Sequence, residues 1–263
     1  MLPALEMEVF MLRSVKNLTG FTIGAVDGEI GKVTDIYFDD LTWKVRYFVV
    51  EAGNWLVGRK VLLSPIALHA ADMQAKTFPT SLTKDQVRHS PDIDADKPVS
   101  VQEEEKLHKH YLWPQQREGG LGFMTTGMVG GVIAPDIPLE ERIEKNPDLE
   151  EPLQGDLPEP EMPADKHLRS FDGTSGYTIH ANDGEYGAVN DFLIEDTTWT
   201  IPFVVIKAGN LFANKKVLRP TSSIEKIEWS NSSMYISHSV DFLKHLPEFK
   251  EEHLNVGDLK HEL

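Results

Sequence analysis

The chain contains no cysteine, which excludes disulfides, thiolate metal sites and cysteine nucleophiles. Nowhere do eighteen or more apolar residues run together, so no segment reads as a membrane-spanning helix. The opening MLPALEMEVFML lacks the basic start and long apolar stretch of a secretory signal, and the expectation is a soluble cytoplasmic protein. Without such a signal, the final Lys260-His261-Glu262-Leu263 is a chance likeness to an endoplasmic-reticulum retrieval sequence. Basic residues are also scarce: 26 Lys and Arg stand against 42 Asp and Glu, a net charge of -16. That balance opposes an extended phosphate backbone, which is bound by lysine and arginine displacing counterions, and it opposes an anionic membrane surface. It favours solubility and a basic protein partner.

What the chain does have is a duplication. Residues 12–93 align without a gap on residues 168–249, with 27 identities in 82 positions. A period this long, present twice, describes two small domains of about 80 to 110 residues and no solenoid. The most similar stretches are 27–54, DGEIGKVTDIYFDDLTWKVRYFVVEAGN, and 183–210, DGEYGAVNDFLIEDTTWTIPFVVIKAGN.

Asp27-Gly28 and Asp183-Gly184 lie between apolar runs, which signals a tight hairpin with positive φ at its centre. Gly31 and Gly187 are read as glycines of the same hairpins, since no nucleotide-binding helix follows. In the next strand Trp43, Val45, Tyr47 and Val49 alternate, as do Trp199, Ile201, Phe203 and Val205, and that face is expected to point into the core. Pro202, in place of Arg46, marks an edge or a bulge. Ala52-Gly53-Asn54 and Ala208-Gly209-Asn210 break the run, after which 59–63 and 215–218 resume as strands.

These pieces in this order resemble the PRC-barrel family, the small β-barrel of the cytoplasmic part of the photosynthetic reaction centre H subunit and of the ribosome maturation factor C-terminal domain. The likeness is carried by Leu12-Arg13-Ser14 and Leu168-Arg169-Ser170, Asp27-Gly28-Glu29-Ile30-Gly31, Trp43, Phe48-Val49-Val50 and Lys60-Val61-Leu62-Leu63-Ser64-Pro65. Stand-alone bacterial members similarly continue into a segment like Leu82-Thr83-Lys84-Asp85-Gln86-Val87 and then Ser90-Pro91. The second copy departs at Thr221, against Pro65, and at Leu211, against Trp55. The fold class implied is mainly β: two small PRC-barrel-like barrels with short flanking helices, joined by a disordered acidic linker.

Thr83 with Gln86 and Ser100 with Glu103 fit the capping box, so two helices are expected to start there, the second running to about Trp113. Residues 118–166 hold twelve acidic residues, three basic ones and seven prolines, the composition of a solvated connection. The domains expected are 9–117 for the first barrel with its helices, 118–166 for the linker, 167–250 for the second barrel and 251–263 for a tail. Residues 119–134, GGLGFMTTGMVGGVIA, read as a flexible linker or a docking segment for a membrane or partner. By analogy with dimer-forming single-barrel relatives, the two copies pair within the chain or the chain forms a homodimer. Residues 9–113 alone are expected to unfold cooperatively.

The residues capable of chemistry do not converge on one motif. Asp35 and Asp191 hold the same strand position and serve either as a general base or as an acceptor for nearby backbone donors. His108 and His110, with Glu104 one turn earlier, point in different directions on a helix and do not form a metal site. His89 and His245 match across the repeat near helix ends, where a partly positive ring suits the dipole. Trp55, Leu56 and Val57 follow a turn and form either a surface anchor for a partner or, through Trp55, a plug over the barrel end. No cofactor or metal is expected. The resemblance implies a non-catalytic adaptor or regulatory protein that binds a protein, basic or associated with a membrane complex such as a reaction centre, or a ribosomal assembly. It would act in the cytoplasm, peripherally at the inner face of the membrane in the first setting. The alternative is a small-ligand protein or enzyme using the cleft between the barrels, with Asp35, Asp191 and the matched histidines.

Overall fold

A computed structural model describes residues 11–93, 99–114, 165, 167–209 and 215–250 of the chain. The linker over 118–166 apart from Asp165, its 119–134 segment, Leu211, and both terminal stretches of the sequence reading lie outside the described residues. In the first copy β1 (Leu12–Ser14) leads into a short helix α1 (Val15–Leu18), followed by β2 (Thr22–Ala25), β3 (Gly28–Asp39), β4 (Lys44–Ala52), β5 (Lys60–Leu63) and β6 (Thr77–Pro79). The second copy repeats this with β7 (Leu168–Ser170), a helix α4 (Phe171–Thr174), β8 (Thr178–Ala181), β9 (Gly184–Glu195), β10 (Phe203–Ala208), β11 (Lys216–Pro220), β12 (Ile224–Glu228) and β13 (Ser233–Ile236). Helices α2 (Lys84–Arg88) and α3 (Val101–Tyr111) follow the first copy, and α5 (Val240–His245) closes the second. The protein is mainly β, in two sheets.

The first sheet has the order β5-β4-β3-β2-β6 and the second β11-β10-β9-β8-β13-β12. Neighbours are antiparallel except β2 with β6 and β8 with β13, which are parallel. Gly28 turns the chain with φ +133°, a region that side chains avoid. Asp27 and Asp183 do more than turn. The Asp27 carboxylate accepts the Lys84 backbone N–H at 2.9 Å and Asp183 that of Val240 at 2.7 Å, so each hairpin pins the start of the helix that closes its copy. Gly31 is needed for close approach, since a Cβ there would be driven into the Glu51 carbonyl.

The opening strands change places. β1 pairs antiparallel with β9, Ser14 opposite Leu193, and β7 pairs with β3, Ser170 opposite Tyr37. The cause is strand length: β3 has 12 residues and β2 only 4. Beyond Lys32, the last partner of β2, one edge of β3 lacks a neighbour from its own copy. β7 satisfies that edge from Tyr37 to Asp39, because unpaired backbone groups there are costly.

One apolar core runs through both copies, joining Phe38, Phe48 and Phe78 to Phe192, Val204 and Ile206. The expected core face of β4 needs correction. Trp43 precedes the strand, in a turn at φ +54°, and its ring packs on Phe38 and on Phe192 of the other copy. A bulge then opposes Val45 to Phe38 and Tyr47 to Tyr37, leaving Arg46 as the extra residue. Past the bulge Phe48 and Val50 fill the main core, while Tyr47 and Val49 face a second cluster covered by Leu107 of α3. In the second copy Ile201 keeps to the main core but Val205 joins a small cluster with Leu12, Leu193 and Phe249, against which Phe203 packs. Pro202 stands where Arg46 bulges, and β10 starts just after it. Both capping boxes form, Thr83 with Gln86 and Ser100 with Glu103.

Candidate functional site

The seam between the copies gathers the matched carboxylates, but from opposite sides of a pseudo-two-fold arrangement. Ser14 donates to Asp191 at 2.5 Å and Ser170 donates to Asp35 at 2.5 Å. Asp191 also accepts the backbone N–H of Phe192 and Lys16, and Asp35 those of Ile36 and Asp172. Each serine meanwhile caps the helix that follows it, accepting from Asn17 or Gly173. Burial pushes both carboxyls above the usual carboxylate range, and the serine hydroxyls pull them partly back. Further out, Arg13 pairs with Asp196 at 2.9 Å, and Arg169 and His167 pair with Asp40 at 3.0 and 2.8 Å. Main chains meet as well: Val45 donates to the Trp199 carbonyl at 2.8 Å and Ile201 to the Trp43 carbonyl at 2.7 Å.

One side of the seam holds a cleft of about 410 Å³, walled by Leu18, Leu68, Phe78 and Trp199 with the Arg13–Asp196 pair and His69. The pseudo-equivalent position carries different side chains. There Arg169 stacks at 3.9 Å over the ring of Trp229, a residue whose counterpart is Met73. Asp35, Asp191, His89 and His245 are not among the residues that wall the cleft. His89 and His245 instead bond the carbonyls of Asp85 and Asp241 in their own helices, at 2.9 and 2.8 Å.

At the tip after β4, Trp55 is tied down. Its indole N–H donates to the Ile30 carbonyl at 2.8 Å, and Lys84 and Arg88 lie over its ring at 5.5 and 5.7 Å. Leu56 is half-buried, and Val57 is 83% exposed. Trp55 is thus partly buried against the main core while Val57 is presented to solvent.

A buried polar cluster on the outer face of the first copy escaped the sequence reading. The bulge at Arg46 aims Arg46 and Tyr47 together at α3, where Arg46 grips Glu104 at 3.0 and 3.2 Å and the Tyr47 hydroxyl meets His108 at 2.9 Å. Burial keeps the Tyr47 hydroxyl protonated. Glu104 and His108, at i and i+4 on α3, were the readable signal, and they serve packing against β4. His110 bonds the Gln86 carbonyl. Among the described residues no group of three or more His, Asp or Glu is placed to hold a metal ion, and no helix is long and apolar enough to cross a membrane.

An uncharacterized protein of Deinococcus radiodurans is 35% identical to this chain over 88 residues. The match covers 33% of this chain and 31% of that protein, so the chain spans about a third of the length of the relative it matches. The model of the PRC-barrel domain family matches residues 12–87, the span from β1 to α2. The chain carries a PRC-barrel domain.

Proposed function

We propose that this is a non-catalytic adaptor built from tandem PRC-barrels, with domains at 9–117 and 167–250, a linker at 118–166 and a tail at 251–263. A PRC-barrel implies a general binding role. The reading is carried by the reciprocal exchange at the seam. Ser14 on Asp191 and Ser170 on Asp35 commit the matched carboxylates to holding the copies together, which favours a scaffold over a reaction centre of catalysis. The contact we assign to a protein partner is the tip with Trp55, Leu56 and Val57, where an indole fixed by the Ile30 carbonyl and overlain by Lys84 and Arg88 stands two residues before an exposed valine. The acidity of the chain as a whole favours a basic partner, or one belonging to a membrane-associated or ribosomal assembly reached from the cytoplasm, whose contact with the tip is apolar, since Lys84 and Arg88 there repel positive charge.

The test is quantitative capture by full-length wild type and Val57→Asp from soluble and detergent-solubilised membrane fractions run separately. The expected result is one stoichiometric partner, lost at least about tenfold with the variant, since a charge at the centre of an apolar contact costs more than 1.4 kcal/mol. Equal capture by both proteins, or none from either fraction, sinks the assignment. A second reading, a small-ligand protein, is favoured by the cleft at the seam. Its mark would be saturable quenching of Trp199 fluorescence by a ligand, absent from Trp199→Phe.

A further inference from the structure

The two copies differ most sharply at one interior position. In the first, Leu63 stands opposite Phe48 across β4 and β5 and is fully buried, with Leu82 nearly so. At the same ladder position of the second, opposite Val204, stands Arg219, and Leu82 is replaced by His238. Two leucines have become two nitrogen bases. Arg219 is only 7% exposed, and its Nε has no hydrogen-bond partner. One Nη lies 3.2 and 3.4 Å from the two ring nitrogens of His238, another potential cation. Phe242 stacks on His238 at 4.5 Å and lies 5.3 Å from the guanidinium, while 43% of its own surface is open to solvent.

A guanidinium remains charged in proteins, and burying it unpaired costs several kcal/mol. The half-buried Arg46, by contrast, has its counter-charges in Glu104, Asp39 and Asp165. Among the described residues no carboxylate forms an ion pair with Arg219, and burial alone pulls its pKa down. His238 is held down first by burial and then by Arg219, with only Glu225 acting the other way. Ser237, whose Oγ lies 3.4 Å from the His238 ring, adds a hydroxyl at the rim.

We propose that Arg219 and His238 form a binding site for a small organic carboxylate, whose two oxygens meet the Arg219 fork while its apolar body lies against Phe242. The Arg219 Nε is closed off from solvent, so the two Nη groups, one of them beside His238, present the end-on pair of donors that matches a planar carboxylate. The exposed ring supplies the apolar wall that such a ligand needs. This site lies in the second copy, apart from the seam and from the Trp55 tip, and does not depend on the adaptor reading.

The experiment titrates the full chain with benzoate, acetate and inorganic phosphate, following thermal denaturation and the Arg219 Nε–H resonance. Benzoate should bind saturably and raise the Tm of the wild type, and acetate, lacking a ring, should bind at least about tenfold more weakly. Arg219→Leu, which restores the first copy's residue, should lose the benzoate response while folding at least as stably. Arg219→Lys, which keeps the charge without the fork, should weaken binding at least about tenfold and covers the case in which the leucine variant fails to fold. The absence of saturation with benzoate, an unchanged response in both variants, or tighter binding of phosphate than benzoate each overturns the proposal.

Discussion

Ser14→Ala tests the reciprocal seam most directly, because this one hydroxyl has two duties that can be separated. It caps α1 by accepting from Asn17 at 3.2 Å, and it donates to Asp191 at 2.5 Å across the copies. Losing a cap costs about 1 kcal/mol. Losing a hydrogen bond to a charged group costs about 1.5–3 kcal/mol more, and Asp191, 4% exposed, has little water to replace it. The expected loss is therefore about 2.5–4 kcal/mol. Ser239→Ala is the control: Ser239 caps α5 by accepting from Phe242, and the structure gives it no cross-copy partner, so about 1 kcal/mol should be lost. Ser170→Ala should fall between them, since Asp35 is only half-buried. Urea denaturation of the full chain, with Cm and m fitted for each protein, reads these differences. Equal losses for Ser14→Ala and Ser239→Ala would refute the claim that the seam hydrogen bond stabilises the fold.

Three further outcomes are expected. Burial raises the native pKa of Asp191, so its contribution is fully present below the unfolded value of 3.8 and is lost as pH rises through the native one; Asp191→Asn should therefore lose less stability than wild type as pH rises above the unfolded value, and parallel pH profiles would contradict this. Residues 9–113 alone lack β7 but carry Leu12-Arg13-Ser14, identical to Leu168-Arg169-Ser170, so sedimentation should show a dimer in which each β1 takes the place of β7; a stable monomer would count against the exchange as a requirement for folding. Gly31→Ala should cost about 1–3 kcal/mol in chemical denaturation, because the new methyl meets the Glu51 carbonyl and the β4 backbone cannot yield; a loss below about 0.5 kcal/mol would show that the β4 backbone at Glu51 does move aside.

Local chemistry was legible where a few adjacent residues decide the outcome. Asp27-Gly28 announced its turn, and Thr83 with Gln86 and Ser100 with Glu103 announced their helices. Alternation failed on β4, because the bulge at Arg46 inverts the faces after Val45 and nothing in Trp43 to Val49 spells out an extra residue. The seam was expected only by analogy. Its geometry hangs on three-residue strands, too short for any period, whose partners lie more than a hundred residues away. Asp35 and Asp191 match across the repeat, yet their side-chain partners are serines of the opposite copy, which no local pattern encodes. Arg219 was visible in the alignment as a departure from Leu63, but its significance depends on burial.

The strand that completes the first sheet also fixes the order in which the protein can mature on the ribosome. When the first copy's closing residues near 93 have emerged, β7 is still about 75 residues from emerging, a wait of roughly 4–15 s at the usual rate of translation. Throughout that interval Tyr37 to Asp39 carry an open edge, and the nascent chain's own β1 has no β9 to join. Two neighbouring nascent chains could each lend the other a first strand, since the sequence Leu12-Arg13-Ser14 fits the vacancy. Spacing between ribosomes, and any chaperone that shields this edge, would then govern the yield of correctly closed single chains.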